Sequence, residues 1–80
     1  MDRALDLLEQ ARRLYAAIGD RVGLSNVGIV LARHAAAQGD FGRAIALMQP
    51  AADFCDAIGH PLGAQLQAEI ARWRRNFARG

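Results

Sequence analysis

The sequence predicts an all-α fold of four antiparallel helices. Three observations lead there. Glycine-centred turn signals at Gly19-Asp20, Gly39-Asp40 and Gly59-His60 cut the chain into four stretches of helical length. Alanine and leucine dominate between the cuts, whereas β-branched residues are few, which favours helix. Apolar residues recur at spacings of three and four, the period of one helical face.

The first stretch, residues 2–18, places Ala4, Leu7, Leu8, Ala11, Leu14, Tyr15 and Ile18 on one face, and Asp2, Asp6 and Glu9 in its N-terminal turns favour the helix dipole. The second, residues 22–38, is apolar on most sides, with Val22, Leu24, Val27, Ile29, Val30 and Leu31, as expected of a helix inside a stack. Gly28 within it points to close helix approach. The third, residues 41–58, carries Ala44, Leu47, Met48, Ala51, Phe54, Cys55 and Ile58, with Pro50 predicting a kink. The fourth, residues 61–78, gathers Leu62, Leu66, Ile70, Trp73 and Phe77 into a narrow stripe, with Ala64, Ala68 and Ala71 opposite. Pro61 sits where proline suits a helix start.

Composition excludes several classes. The chain has 80 residues, 52% hydrophobic and 22% charged, with a net charge of +2, which fits one small folded domain and not a disordered segment. No apolar run approaches the ~20 residues that span a bilayer. Met1-Asp2-Arg3 leads directly into mixed sequence, so no secretory signal is expected and the location is read as cytoplasmic. Cys55, the one cysteine, cannot close an internal disulfide. All basic residues are arginine, and lysine and threonine are absent, a skew that points to a GC-rich, bacterial coding sequence.

A shift of 40 residues aligns the chain with itself. Arg3-Ala4 falls on Arg43-Ala44, Leu7 on Leu47, Ala11 on Ala51, Ala17-Ile18-Gly19 on Ala57-Ile58-Gly59 and Gly23 on Gly63. Each unit is helix, turn, helix with short connections, which makes neighbouring helices antiparallel.

Leu31-Ala32, the hinge Gln38-Gly39-Asp40-Phe41, and Ala44, Ile45 and Ala51 behind it resemble a tetratricopeptide repeat. The 40-residue unit with Ala17-Ile18-Gly19-Asp20 is similar to repeats of bacterial signalling ATPases, transcriptional regulators and Gα-binding scaffold proteins. The chain departs from the consensus at Gly28, Ala35 and Met48, where the family places larger or aromatic residues, and it lacks the closing proline after Ile58. The resemblance implies a right-handed helix-turn-helix solenoid stack in a single domain, with a half unit at 2–18, a complete unit at 22–58 and a half unit at 61–78. Both ends would then lack capping repeats. A closed four-helix bundle is the alternative arrangement.

The resemblance also implies a groove lined by the first helix of each unit. Its positions here are Asn26, Ile29, Arg33, Ala36 and Ala37, and, carried on by 40, Leu66, Glu69, Trp73, Asn76 and Phe77. Ile29 and Arg33 do not reproduce the clamp with which the chaperone-binding members hold a C-terminal carboxylate. The family pattern packs the alanine side of the fourth helix inward. Leu66, Ile70, Trp73 and Phe77 would then face a protein partner; the competing reading rolls the helix and buries the stripe in its own core. Arg72, Arg74, Arg75 and Arg79 give the last nine residues a charge of +4, which suits an acidic partner or, more simply, a solvated helix end complementing its dipole. The other arginines are balanced by carboxylates, so nucleic acid is not an expected ligand.

Catalysis, metal and cofactor are not expected. His34 and His60 are far apart, Cys55 lies on an apolar face without a readable activating base, and no phosphate-binding glycine motif exists. The expected function is a non-catalytic interaction module that binds a protein segment through its helical groove. The alternatives are a self-associating, homo-oligomeric structural unit and a regulatory fragment of a larger bacterial signalling protein.

Overall fold

The computed structural model describes residues 3–79, with side chains through residue 78. It contains four helices, α1 Arg3–Ile18, α2 Arg21–Ala37, α3 Phe41–Ala57 and α4 Leu62–Arg79, and no strand among the described residues. Pro50 does not divide α3, which runs unbroken past it.

The three connections share one construction. Gly19, Gly39 and Gly59 have φ of 73°, 80° and 69°, the left-handed conformation that ends a helix at little cost only in glycine. Each is followed by the same hydrogen bond back across the helix end: Asp20 N–H to Tyr15 O at 2.9 Å, Asp40 to Ala35 at 2.9 Å and His60 to Cys55 at 2.8 Å. The residue that closes one helix also opens the next. The Asp20 carboxylate accepts from the Gly23 N–H at 3.0 Å and that of Asp40 from Arg43 at 3.3 Å, each satisfying an otherwise unpaired donor. At the third turn histidine replaces aspartate, and His60 Nδ1 accepts from the Leu62 N–H at 3.0 Å.

The substantial helix contacts join chain neighbours: α1 to α2, α2 to α3 and α3 to α4. The Cα envelope is flat, 37 × 37 × 14 Å. Two ion pairs reach past the chain neighbour. Arg43 on α3 meets Glu9 on α1 at 3.3 Å, and Arg33 on α2 meets Glu69 on α4 at 3.0 Å.

The core lies around α3. Ala44, Met48, Ala51, Ala52 and Cys55 are buried there with Ile29, Ala32 and Ala35 of α2 and Leu66, Ile70 and Trp73 of α4. Small residues on α2 and α3 let their axes come close: a Cβ on Gly28 would stand 3.2 Å from the Leu47 carbonyl oxygen. Val22, Asn26, Val30, Arg33 and Ala37 form an exposed face of α2, so this helix is not enclosed on all sides.

The two ends of the row differ. On α4 the large stripe is turned inward and Ala64, Ala68 and Ala71 are exposed, the reverse of the family pattern. The burial explains the roll: Leu, Ile and Trp remove far more apolar area from water than alanine does. The outer side of α4 therefore carries small and polar residues, among them Ala64, Gln65, Ala68, Ala71 and Arg72. α1 is the opposite case. It buries no residue, and Leu7, Leu14 and Ile18 stay 57%, 59% and 65% exposed.

Candidate functional site

Two surfaces compete as the functional site. The first is the channel between α2 and α4. Arg33, Ala36, Ala37, Glu69, Arg72 and Asn76 border an open cavity of about 430 Å³ there. Arg33 spans it, donating from Nε to Glu69 at 3.3 Å and from Nη2 at 3.0 Å. Its charge is thus already matched inside the molecule. Arg72 is exposed in the same channel and has no ion pair among the described residues.

Placement of the sequence-derived groove residues is mixed. Asn26 and Arg33 are exposed as groove residues must be. Ile29, Leu66, Ile70 and Trp73 are 8%, 0%, 1% and 5% exposed and belong to the core. Trp73 nonetheless lines the α2–α4 channel, and Ile29 a cleft shared with Val22 and Asn26. Phe77 is 60% exposed, and its ring edge lies 3.3 Å from where a Cβ on Gly42 would be, so it lies across the start of α3. Arg74 and Arg75 are exposed with Arg72; Arg74 makes one long contact, 3.5 Å, to the Gln49 side-chain oxygen. The side chain of Arg79 lies outside the described residues.

The second surface is the outer side of α1. Ala4, Leu7, Ala11, Leu14 and Ile18 recur at intervals of three, four, three and four along it. On the other side of the helix Glu9 holds Arg12 at 3.0 Å and Arg43 at 3.3 Å, while the Tyr15 ring fills the space that Gly23 leaves open. These contacts fix the rotation of α1. They turn the leucine and isoleucine stripe away from α3 and into solvent. From sequence this stripe is only one apolar face, because amphipathic spacing shows that a face is apolar without showing what covers it.

A smaller cleft of about 250 Å³ lies where α1, α2 and α3 meet, with Arg12 and Arg21 at its rim and Gly28, Leu47 and Phe54 at its floor. The Arg21 guanidinium stacks on Phe54, 4.7 Å from the ring centroid. His34 lines a cleft with Asp6, Glu9, Asp40 and Arg43. His60 caps α4, and Cys55 is buried in the core. No helix is long and apolar enough to cross a membrane, and no group of metal-binding side chains occurs among the described residues.

Comparison with protein-family models, with curated proteins and with solved structures finds no match to this chain.

Proposed function

We propose that this chain is a non-catalytic, tetratricopeptide-like helical module that self-associates through the outer face of α1. One observation carries the proposal: Leu7, Leu14 and Ile18 stand 57–65% exposed on a helix that buries no residue of its own. A row of large apolar side chains in water marks an interaction surface. The stack-like arrangement is supported by three turns of one construction and by substantial contacts that run only between chain neighbours. A closed bundle would bring α1 against α4 and cover this stripe.

Light scattering across the micromolar range tests the reading on the wild type and on Leu14→Glu. The expected result is a wild-type oligomer and a folded, monomeric variant with an unchanged circular dichroism spectrum. A folded wild type that stays monomeric throughout the range overturns it.

A second reading rests on Arg72, which has no ion pair among the described residues and lies beside Asn76 in the α2–α4 channel. It makes this channel a seat for an acidic peptide segment. Titration with an Asp/Glu-rich peptide should then give saturable binding that Arg72→Ala weakens, and binding unaffected by that substitution removes the channel from consideration.

A further inference from the structure

We propose that the cleft where α1, α2 and α3 meet binds a small amphiphilic carboxylate, of the kind of a short-chain fatty acid anion. This site is separate from the outer face of α1 and does not depend on self-association. Its lining divides into two chemistries. Leu24, Leu47, Pro50 and Phe54 supply apolar walls, and Arg12 and Arg21 supply charge at the rim. No carboxylate is among the lining residues. The cleft stays open because α1 has its substantial contacts with α2 alone, and because Gly28 and Ala46 are too small to fill the space beside α3. Its volume of about 250 Å³ falls just below the ~300–1,000 Å³ of sites for drug-sized ligands, which sets the scale at a small molecule.

Both arginines keep donors to spare. Arg21 is exposed and makes no ion pair among the described residues. Its stacking on Phe54 engages the face of the guanidinium and leaves the N–H edge open to an oxygen pair. Arg12 gives Nε and Nη2 to Glu9, and its Nη1 has no partner among the described residues. Glu9 also receives Arg43, so one carboxylate there answers two guanidiniums. The other acids near in sequence are engaged elsewhere. Asp20 caps α2, while Asp53 and Asp56 accept from Gln67 of α4, and none of the three pairs with Arg21.

These features select the ligand by exclusion. A bare inorganic anion would meet the arginines but leave Leu24, Leu47 and Phe54 in water. A neutral apolar molecule would cover those walls and leave the guanidiniums unmatched. An apolar chain that ends in a carboxylate does both: its body removes apolar area from water, and its two oxygens fit the forked donors of arginine.

A chemical-shift titration of the wild type with octanoate tests the site. Octanamide keeps the chain without the charge, and acetate keeps the charge without the chain. Octanoate should saturate with a dissociation constant of about 1 mM or below, shifting the amides of Leu24, Gly28, Leu47 and Phe54. Octanamide and acetate should each bind at least about tenfold more weakly. Arg21→Gln, at an exposed position, should weaken octanoate about tenfold with an unchanged circular dichroism spectrum. Octanamide binding as tightly as octanoate overturns the proposal, as does octanoate binding that Arg21→Gln leaves untouched. Shifts centred on Leu7 and Leu14, or no saturation at all, also overturn it. Should Arg21→Gln lose its fold, the comparison of the three probes on the wild type decides alone.

Discussion

Arg33 and Glu69 are joined by two hydrogen bonds, 3.3 and 3.0 Å, across helices that are not consecutive in the chain. The pair is the α2–α4 counterpart of the Glu9–Arg43 pair that links α1 to α3. Arg33 is 52% exposed at its side chain and Glu69 22%, so solvent screens the attraction. A double-mutant cycle with Arg33→Ala and Glu69→Ala should give a coupling of about 0.5 kcal/mol, within the range of exposed pairs. A coupling near zero would show that the contact only lines the channel.

Leu66, Ile70 and Met48 are the largest fully buried side chains. Ile70→Ala should cost about 2–5 kcal/mol. A single small core supplies only about 3–5 kcal/mol, so this variant should be largely unfolded by circular dichroism. Trp73→Glu should likewise unfold the chain and not merely separate subunits. Leu7→Ala, on the open face of α1, should stay within about 0.5 kcal/mol of the wild type under monomeric conditions.

The three turns make separable predictions. Gly39→Ala meets open space but must hold a positive φ, so it should cost about 1–2 kcal/mol through backbone strain alone. Asp20→Ala should cost about 1 kcal/mol by releasing the Gly23 N–H. His60→Asp, which supplies at the third turn the carboxylate present at the other two, should raise the melting temperature. Denaturant titration of the three variants checks the ordering.

Gly23 is required by a neighbour and not by its backbone. A Cβ there would fall 2.7–2.9 Å from three atoms of the Tyr15 ring. Gly23→Ala should therefore displace the ring and loosen α1, costing about 1–3 kcal/mol despite the higher helix propensity of alanine. Gly63, its equivalent after 40 residues, faces the Asp56 carboxylate in the same way. A change in the Tyr15 ring resonances with an unaltered α3–α4 core would be the signature of the first substitution.

Amide exchange should be graded along the chain. The amides of α1, which buries nothing, should exchange far faster than those of α3, which carries the centre of the core. Equal protection of α1 and α3 in a dilute, monomeric sample would contradict the packing described.

The helices were legible because their punctuation is chemical. Gly19, Gly39 and Gly59 each hold a conformation that other residues resist, so the breaks appear in the sequence itself. The roll of α4 was not legible from the repeat. The shift of 40 places Leu66, Ile70 and Trp73 on Asn26, Val30 and Arg33, which are exposed on α2. The family pattern implied an outward stripe and the competing reading a rolled helix; the larger apolar area of the stripe decides for the roll. Ile29, carried over as a groove residue, is nearly buried because it belongs to the cluster that holds Cys55. The exposure of Leu7, Leu14 and Ile18 was hidden because periodicity identifies an apolar face and is silent about its cover.

Trp73 and Cys55 are the single tryptophan and the single cysteine, and both are buried in the cluster formed by α2, α3 and α4. A fluorescence melt and a thiol-labelling experiment would therefore watch the same half of the molecule. Their agreement would look like all-or-none unfolding even if α1 had already peeled away. The sole aromatic residue on α1 is Tyr15, packed on Gly23. With energy transfer to Trp73 as the readout, that tyrosine becomes the native probe able to time the departure of α1 against the collapse of the rest.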